Sequence, residues 1–284
     1  MMRPCLIKLT PFLIALLVSA NAFGQISSDC EGVVVPDDYN EASQQAFLQN
    51  YFSAAFAMTA LHAPLPFIRR SSKASIALEA AWVPPLNCQR RLVVGGTKTE
   101  ETNRTPIFPR PRLTVALPSL GPIDSYIEVV ALPPIKTPLG RVMQMGGEFG
   151  LGRAFDFGLS IGARTHLSII HARSEIAGPF NEGDTIYDDL LIASSLGAEI
   201  GIGYTHKNLD WITPYATAGI GDVSTMFIVG DNLSIVQNTT EPWSGLTASL
   251  GAQMFFWDHL LVVFEGSTAF PVLTTVKAKV GYAW

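Results

Sequence analysis

Residues Phe157-Gly158-Leu159-Ser160-Ile161-Gly162-Ala163-Arg164-Thr165-His166-Leu167-Ser168-Ile169 alternate without a break between two kinds of side chain. A period of two is the signature of a β-strand, whose successive side chains point to opposite faces. Phe157, Leu159, Ile161, Ala163, Thr165, Leu167 and Ile169 share one face. Gly158, Ser160, Gly162, Arg164, His166 and Ser168 share the other. The run from Leu190 to Tyr204 repeats the pattern, with Ile192, Leu196, Ile200 and Ile202 opposed to Ser195, Gly197, Glu199, Gly201 and Gly203.

Working outward from these two runs, eight more alternating segments follow, each bounded by turn-forming residues. Before them lie Lys73 to Val83, Pro111 to Leu117, Ser125 to Leu132 and Arg141 to Leu151. After them come Trp211 to Ile220, Trp243 to Phe256, Leu260 to Gly266 and Val272 to Trp284. The chain has 284 residues, of which 48% are hydrophobic and only 15% charged, with 24 glycines. That is apolar for a soluble domain, yet beyond the N-terminus no segment has the roughly 18 consecutive apolar residues of a membrane helix. Only helices and closed barrels satisfy their backbone in lipid. Strands with one broad apolar face and one small or polar face fit a membrane barrel, which turns its apolar side outward. The expected fold is therefore all-β, an antiparallel transmembrane β-barrel of about ten strands.

The connections are expected to alternate in length, as a bacterial barrel with short periplasmic turns and longer outer loops requires. Pro84 to Arg110, Pro133 to Gly140, Ala172 to Asp189 and Gly221 to Pro242 are the longer ones; Ser267 to Pro271 is short for its class. Pro118 to Asp124, Gly152 to Asp156, Thr205 to Asp210 and Trp257 to His259 are the short ones. Trp82, Tyr204, Trp211, Trp243, Phe256, Trp257 and Trp284 fall near strand ends, where interfacial aromatic girdles belong.

The chain begins with Arg3 and Lys8 before an apolar run from Pro11 to Val18 and the small-x-small site Ala20-Asn21-Ala22, which reads as a secretory signal peptide over residues 1–22. Cys5 precedes the run, so it is not placed for lipid attachment. The formal net charge is −5 and becomes more negative without the signal, which disfavours a nucleic-acid partner. Cys30 and Cys88 remain, an even pair without metal-ligand spacing; in an oxidising compartment they are either a disulfide or two free thiols. Residues 23–72 differ from the barrel region, 73–284, and carry an expected helix from Asn40 to about Leu61. Three arrangements stay open for them. They form a plug threading the lumen, a periplasmic helix, or extra strands between Phe52 and Arg70. A link from Cys30 to Cys88 in the first outer loop favours the plug.

At the C-terminus Val276, Ala278, Val280, Tyr282 and Trp284 alternate with Lys277, Lys279, Gly281 and Ala283. This resembles the terminal strand of bacterial outer-membrane β-barrel proteins, and Trp211-Ile212-Thr213-Pro214-Tyr215 followed by Ala218-Gly219-Ile220-Gly221 is similar to another strand of such barrels. The resemblance spans roughly the last three-quarters of the chain and names no specific member. It implies a Gram-negative outer-membrane location, the lipid bilayer and the outer-membrane assembly machinery as partners, and Val280, Tyr282 and Trp284 as the assembly signal.

On the expected lumen face, Glu148, Arg164 and Glu199 sit on three successive strands, with Glu79 and Arg112 nearby in the sequence pattern. Such charges form either an internal ion-pair lattice or the lining of a pathway or ligand site. Lys277 and Lys279 are expected to meet Glu265 across the last hairpin. His166 and Ser168 share a face and are the one candidate for hydrolytic chemistry, but no nucleophile elbow, phosphate loop or zinc-spaced histidine pair accompanies them. Glu182, Asp184, Asp188 and Asp189 form an acidic loop that reads as solvated, and no cofactor or metal is expected. The Asn-x-Ser/Thr sites at Asn103, Asn232 and Asn238 matter only in a eukaryotic secretory host. The expected function is binding or narrow passage of a small, hydrophobic molecule through a porin-like barrel. The alternatives are a structural or surface-interaction barrel and a lipid-modifying enzyme.

Overall fold

The computed structural model describes residues 26–56, 59–68, 70–93, 95–100, 107–137, 140–174, 189–229, 234–237 and 243–284. The signal peptide, Glu182, Asp184, Asp188, Asn103, Asn232 and Asn238 lie outside the described residues.

The alternating segments become the strands β1 (Ala74–Trp82), β2 (Ile107–Leu120), β3 (Ile123–Thr137), β4 (Gly140–Ala154), β5 (Leu159–Ser174), β6 (Asp189–Tyr204), β7 (Ile212–Val229), β8 (Trp243–Phe256), β9 (Leu260–Ala269) and β10 (Leu273–Ala283). Each pairs antiparallel with its neighbours in sequence, and β1 pairs with β10, so the wall is a closed up-and-down barrel without edges. A short strand, Ser234–Gln237, pairs only with β7 and extends it as a hairpin. The last residue completes the seam. The Trp284 carbonyl accepts from the Lys73 and Ala74 amides at 2.7 and 3.1 Å, and its own amide donates to Ala74 at 2.9 Å.

Several strands run further than the sequence pattern suggests. The connection expected from Pro133 to Gly140 is mostly strand, because a register shift between Leu132 and Ile135 absorbs Pro133 and Pro134, which have no N–H to give the ladder. One end of the barrel, the turn end, carries Trp284 and the short turns. The other, the loop end, has long connections after β1, β6's predecessor β5, and β7, but short ones after β3 and β9. The expected alternation of loop lengths is thus only partial.

Burial alternates strictly along β5 and β6, with Ser160, Arg164, His166 and Ser168 inside and Ile161, Leu167 and Ile169 outside. Isoleucine, leucine, valine and phenylalanine stand exposed around the wall, among them Leu78, Phe149, Ile200, Leu250 and Val280. An apolar belt of this kind is the surface a barrel presents to lipid. At the turn end Tyr282 stacks with Trp284 and with His259, at 6.4 and 5.3 Å between ring centres, and Trp211 lies 5.7 Å from Phe256. These rings form an interfacial girdle.

Helix α1 (Glu41–Phe56) begins where expected, with the Asn40 carboxamide accepting from the Ser43 amide at 2.9 Å. It ends earlier than expected. Residues 59–68 instead run irregularly down the barrel interior, nearly all of them buried, and Pro64 and Pro66 push Ala63 and Leu65 away from helical geometry. Leu61, Ala63 and Phe67 pack on Tyr215, Phe255, Leu261 and Val263 of the wall. No strand forms between Phe52 and Ile68 among the described residues.

Cys30 and Cys88 are joined by a disulfide, which ties residues 26–56 to the connection after β1. At the loop end Tyr51 and Ala55 of α1 pack on Leu273, with Val83, Leu86 and Val272 around them. Arg91 organises the remainder, donating to Asp29 at 2.6 Å, Ser27 at 3.2 Å and the Glu100 carbonyl at 2.8 Å. The Ser27 hydroxyl and this guanidinium hold the Asp29 carboxyl below its ordinary range.

Inside the wall, glycines make room for flattened rings on neighbouring strands: a Cβ at Gly150 would collide with the Tyr126 ring, and one at Gly251 with Tyr215. Gly150→Val is expected to expel Tyr126 and destabilise the barrel by about 1–3 kcal/mol. Gly266→Val, where an added Cβ meets open space, serves as control. Urea titration of both variants in detergent checks this, and equal stabilities would contradict the packing.

Candidate functional site in the barrel interior

The inward faces gather an ion-pair lattice whose centre is set by register. Glu128 of β3 and Glu148 of β4 stand directly opposite each other, a like-charge pair that is costly unless neutralised. Both are buried. Glu128 accepts from Arg112 across the β2–β3 ladder, from the Thr114 hydroxyl at 2.6 Å and from Lys279 at 3.4 Å. Arg112 also reaches Glu79 at 2.5 Å, and Arg110 lies 3.7 Å from Glu79, so one carboxylate and two guanidiniums bridge β1 and β2. Glu148 accepts from the Tyr126 hydroxyl at 2.6 Å and lies 3.1 Å from Nε2 of His62, a residue of the luminal segment.

Two further ion pairs lie on other strands of the wall. Arg164 and Glu199 face each other across β5 and β6, joined through Nε at 3.0 Å and Nη2 at 2.8 Å. Glu265 and Lys277 face each other across β9 and β10 at 4.0 Å, and the Tyr215 hydroxyl donates to Glu265 at 2.8 Å. Among the described interior residues, Glu79, Glu128, Glu148, Glu199 and Glu265 are matched by Arg110, Arg112, Arg164, Lys277 and Lys279. A buried charge persists only when compensated in this way.

The lattice grips the luminal segment through its spare donors. Arg112 donates to the Thr59 carbonyl at 2.7 Å and Arg164 to the His62 carbonyl at 3.0 Å, while Arg110 holds the end of α1 through the Ala55 carbonyl at 3.0 Å. Gln253 accepts from the Ala63 amide at 3.1 Å and donates to the Pro66 carbonyl at 2.7 Å, and Lys277 donates to the Thr59 hydroxyl. A chain in a dry lumen must pair its backbone groups. Pro64 and Pro66 shorten that requirement by having no N–H to satisfy.

Of the residues singled out from sequence, Arg164 and Glu199 come together, whereas Glu148 faces His166 rather than Arg164 and belongs to the group around Glu128. Lys277 meets Glu265 as expected, but Lys279, opposite Glu79 in the β1–β10 ladder, reaches past β1 and β2 to Glu128. Val280, Tyr282 and Trp284 lie on the exterior at the seam. His166 and Ser168 are not paired as a dyad among the described residues: the Ser168 hydroxyl pairs with Ser195 at 2.8 Å, and His166 Nδ1 meets no hydrogen-bond partner among them. Arg110, Glu128, Tyr126, Tyr215, Gln253 and His62 were not singled out. For Glu128, the alternation of Ser125 to Leu132 already placed it with Tyr126 on the polar face. For His62 no periodicity existed to read.

His62, Glu128 and Glu148 place potential ligand atoms within 4.8 Å of one another, the donor set a metal ion could use. Arg112 and Lys279 already occupy Glu128, and the interior charges balance, so the arrangement favours ion pairing. Two recesses border the luminal segment. One, of about 180 Å³ at the turn end, is lined by Leu65, Phe67, Ile68, Arg70, Asp124 and Tyr126. The other, about 30 Å³, lies between Thr59, Glu199, Thr247, Glu265 and Lys277.

Neither a family model nor a curated relative matches the sequence. Solved structures similar to it include the β domain of the Bordetella autotransporter BrkA, at 10% identity over 75% of this chain and 100% of that one, TM-score 0.42. Ail, the attachment invasion locus protein of Yersinia pestis, aligns at 10% identity over 75% of this chain and 95% of its own, TM-score 0.36. The Pseudomonas putida toluene transporter TodX aligns at 13% identity over 92% of this chain and 74% of its own, TM-score 0.34.

Proposed function

We propose that this is an outer-membrane barrel for binding or narrow passage of a small solute, its lumen plugged by residues 59–68 in the closed state. The observation that carries the reading is the mode of plugging. The segment is held largely by side-chain donors of the lattice to its backbone and takes no part in the strand ladder of the wall, so its displacement does not require the barrel to unfold. With the plug displaced, the bore would be lined by Glu79, Arg112, Arg164, Glu199 and Lys277, which suits a small polar or charged solute. The turn end, with Trp284, faces the periplasm, and export by the signal peptide and insertion by the assembly machinery through Val280, Tyr282 and Trp284 complete the reading. A second reading, a surface-interaction barrel, is favoured by one feature: residues 26–56 and the connection after β1 fold together as a cap over the loop end.

Three outcomes are expected. The protein is recovered in the outer-membrane fraction with heat-modifiable gel mobility; purification as a periplasmic monomer without detergent overturns the placement. Arg164→Met, which leaves Glu199 buried and unpaired, lowers stability by about 3–5 kcal/mol, whereas Arg164→Met with Glu199→Leu recovers most of it; equal losses in urea titrations argue against a coupled pair. In planar bilayers, with the Cys30–Cys88 disulfide reduced, the wild type is mostly closed and His62→Ala raises the open fraction about tenfold, as expected for roughly 1.4 kcal/mol lost from the closed state. Silence of both proteins, with no solute uptake by vesicles, leaves the surface-interaction reading.

A further inference from the structure

The disulfide closes a covalent ring, and chain order fixes what the ring contains. From Cys30 the chain forms α1 over the loop end, descends the lumen as residues 59–68, and reaches the turn end. There Arg70 is held by Asp258 at 2.6 Å and by the Asp210 carbonyl. It then rises in the wall as β1, hydrogen-bonded to β10 on one side and β2 on the other, and returns to Cys88. One leg of the ring fills the lumen and the other is part of the wall. Withdrawal toward the turn end would have to draw α1 through the lumen while Cys30 stays tied to Cys88. Withdrawal toward the loop end would have to drag the link before β1 through the lumen while β1 remains laddered.

We propose that the Cys30–Cys88 disulfide is a redox lock that retains residues 59–68 in the lumen, and that its reduction by a dithiol frees them. This rests on those residues acting as the plug proposed above. The surroundings of the two sulfurs differ in the way exchange requires. Cys30 is 3% exposed and its Sγ lies 3.4 Å from Nη1 of Arg91, whereas Cys88 is only half-buried. A thiolate of the dithiol attacks Cys88 Sγ, the S–S bond breaks, and the electron pair leaves on Cys30 Sγ, where the guanidinium stabilises the thiolate. The second thiolate of the reagent then attacks the reagent's own sulfur in the mixed disulfide. That step releases the Cys88 thiolate and leaves the reagent as a cyclic disulfide. Two electrons pass from the dithiol to the cystine.

Hydrogen exchange on the full-length protein in lipid vesicles, before and after dithiothreitol, tests this. In the oxidised protein, peptides covering 59–68 are expected to be protected. After reduction they exchange at least about tenfold faster, while peptides of β5 and β6 stay unchanged. The Cys30→Ser/Cys88→Ser variant reproduces the reduced state; should it fail to fold, reduction of the folded wild type still decides. Arg91→Gln is reduced several-fold more slowly, and a monothiol is trapped on Cys88. Unchanged protection of 59–68 after complete reduction overturns the lock and leaves the plug standing. Fast exchange of 59–68 in the oxidised protein overturns the plug itself and the lock with it. Trapping on Cys30, or reduction of Arg91→Gln at the wild-type rate, overturns the assigned roles of the two sulfurs.

Discussion

Glu128 and Glu148 face each other across adjacent strands, and the interior is arranged around making that opposition tolerable. Two carboxylates at a directly opposed position repel, and neither can turn to water because both are buried. Relief comes from three directions. Arg112 arrives from the next strand, Lys279 from β10 on the far side of β1, and His62 from the chain that fills the lumen. The third of these links wall and filling. Without residues 59–68, Glu148 would retain only the Tyr126 hydroxyl among its described donors, so the luminal segment contributes charge compensation as well as volume.

The wall was legible because its rule is local. A period of two, read at Phe157 to Ile169 or at Val276 to Trp284, assigns every side chain to one of two faces without knowledge of any other strand, and the burial of β5 and β10 follows it residue by residue. Register is not local. Glu148, Arg164 and Glu199 were grouped because they lie on successive strands with inward parity. Parity leaves a strand free to slide by two residues, and the actual register sets Arg164 opposite Gly150 rather than Glu148. Pro133-Pro134 misled for a related reason: prolines mark turns in isolation, but a closed barrel can take them up as a bulge, since the wall on either side holds the strand in place. The luminal segment lay furthest from reach. Its residues answer to partners on eight different strands and loops rather than to each other, so it has neither helical nor strand periodicity.

Filling by a single chain also follows from the number of strands. A barrel of ten strands is slightly wider than the eight whose interior is just filled by their own side chains. Long inward side chains such as Arg112, Arg164 and Lys279 take up part of the extra width, and glycines at 150, 197 and 251 let Tyr126, His166 and Tyr215 lie flat against the wall. What is left accommodates one irregular strand of backbone, and backbone is a demanding filler because each peptide brings a donor and an acceptor. An apolar lumen could not satisfy it. Arginines can, since each has donors to spare after binding a carboxylate: Arg112 serves Glu79, Glu128 and the Thr59 carbonyl, and Arg164 serves Glu199 and the His62 carbonyl.

The same economy explains why a charged lattice is used where packed hydrophobic side chains would be at least as stabilising. Apolar inward faces would make both sides of each strand alike, and nothing would then fix which face meets lipid or which register closes the seam. Charges forbid both errors: a slip by one residue would turn Arg112 and Glu128 outward into the bilayer, and a slip by two at the seam would move Lys279 from its place opposite Glu79. The lattice therefore selects register and path together. By binding residues 59–68 largely through their backbone, with the His62 ring and the Thr59 hydroxyl as side chains it also holds, it fixes that path with groups that do not depend on the identity of most residues in it.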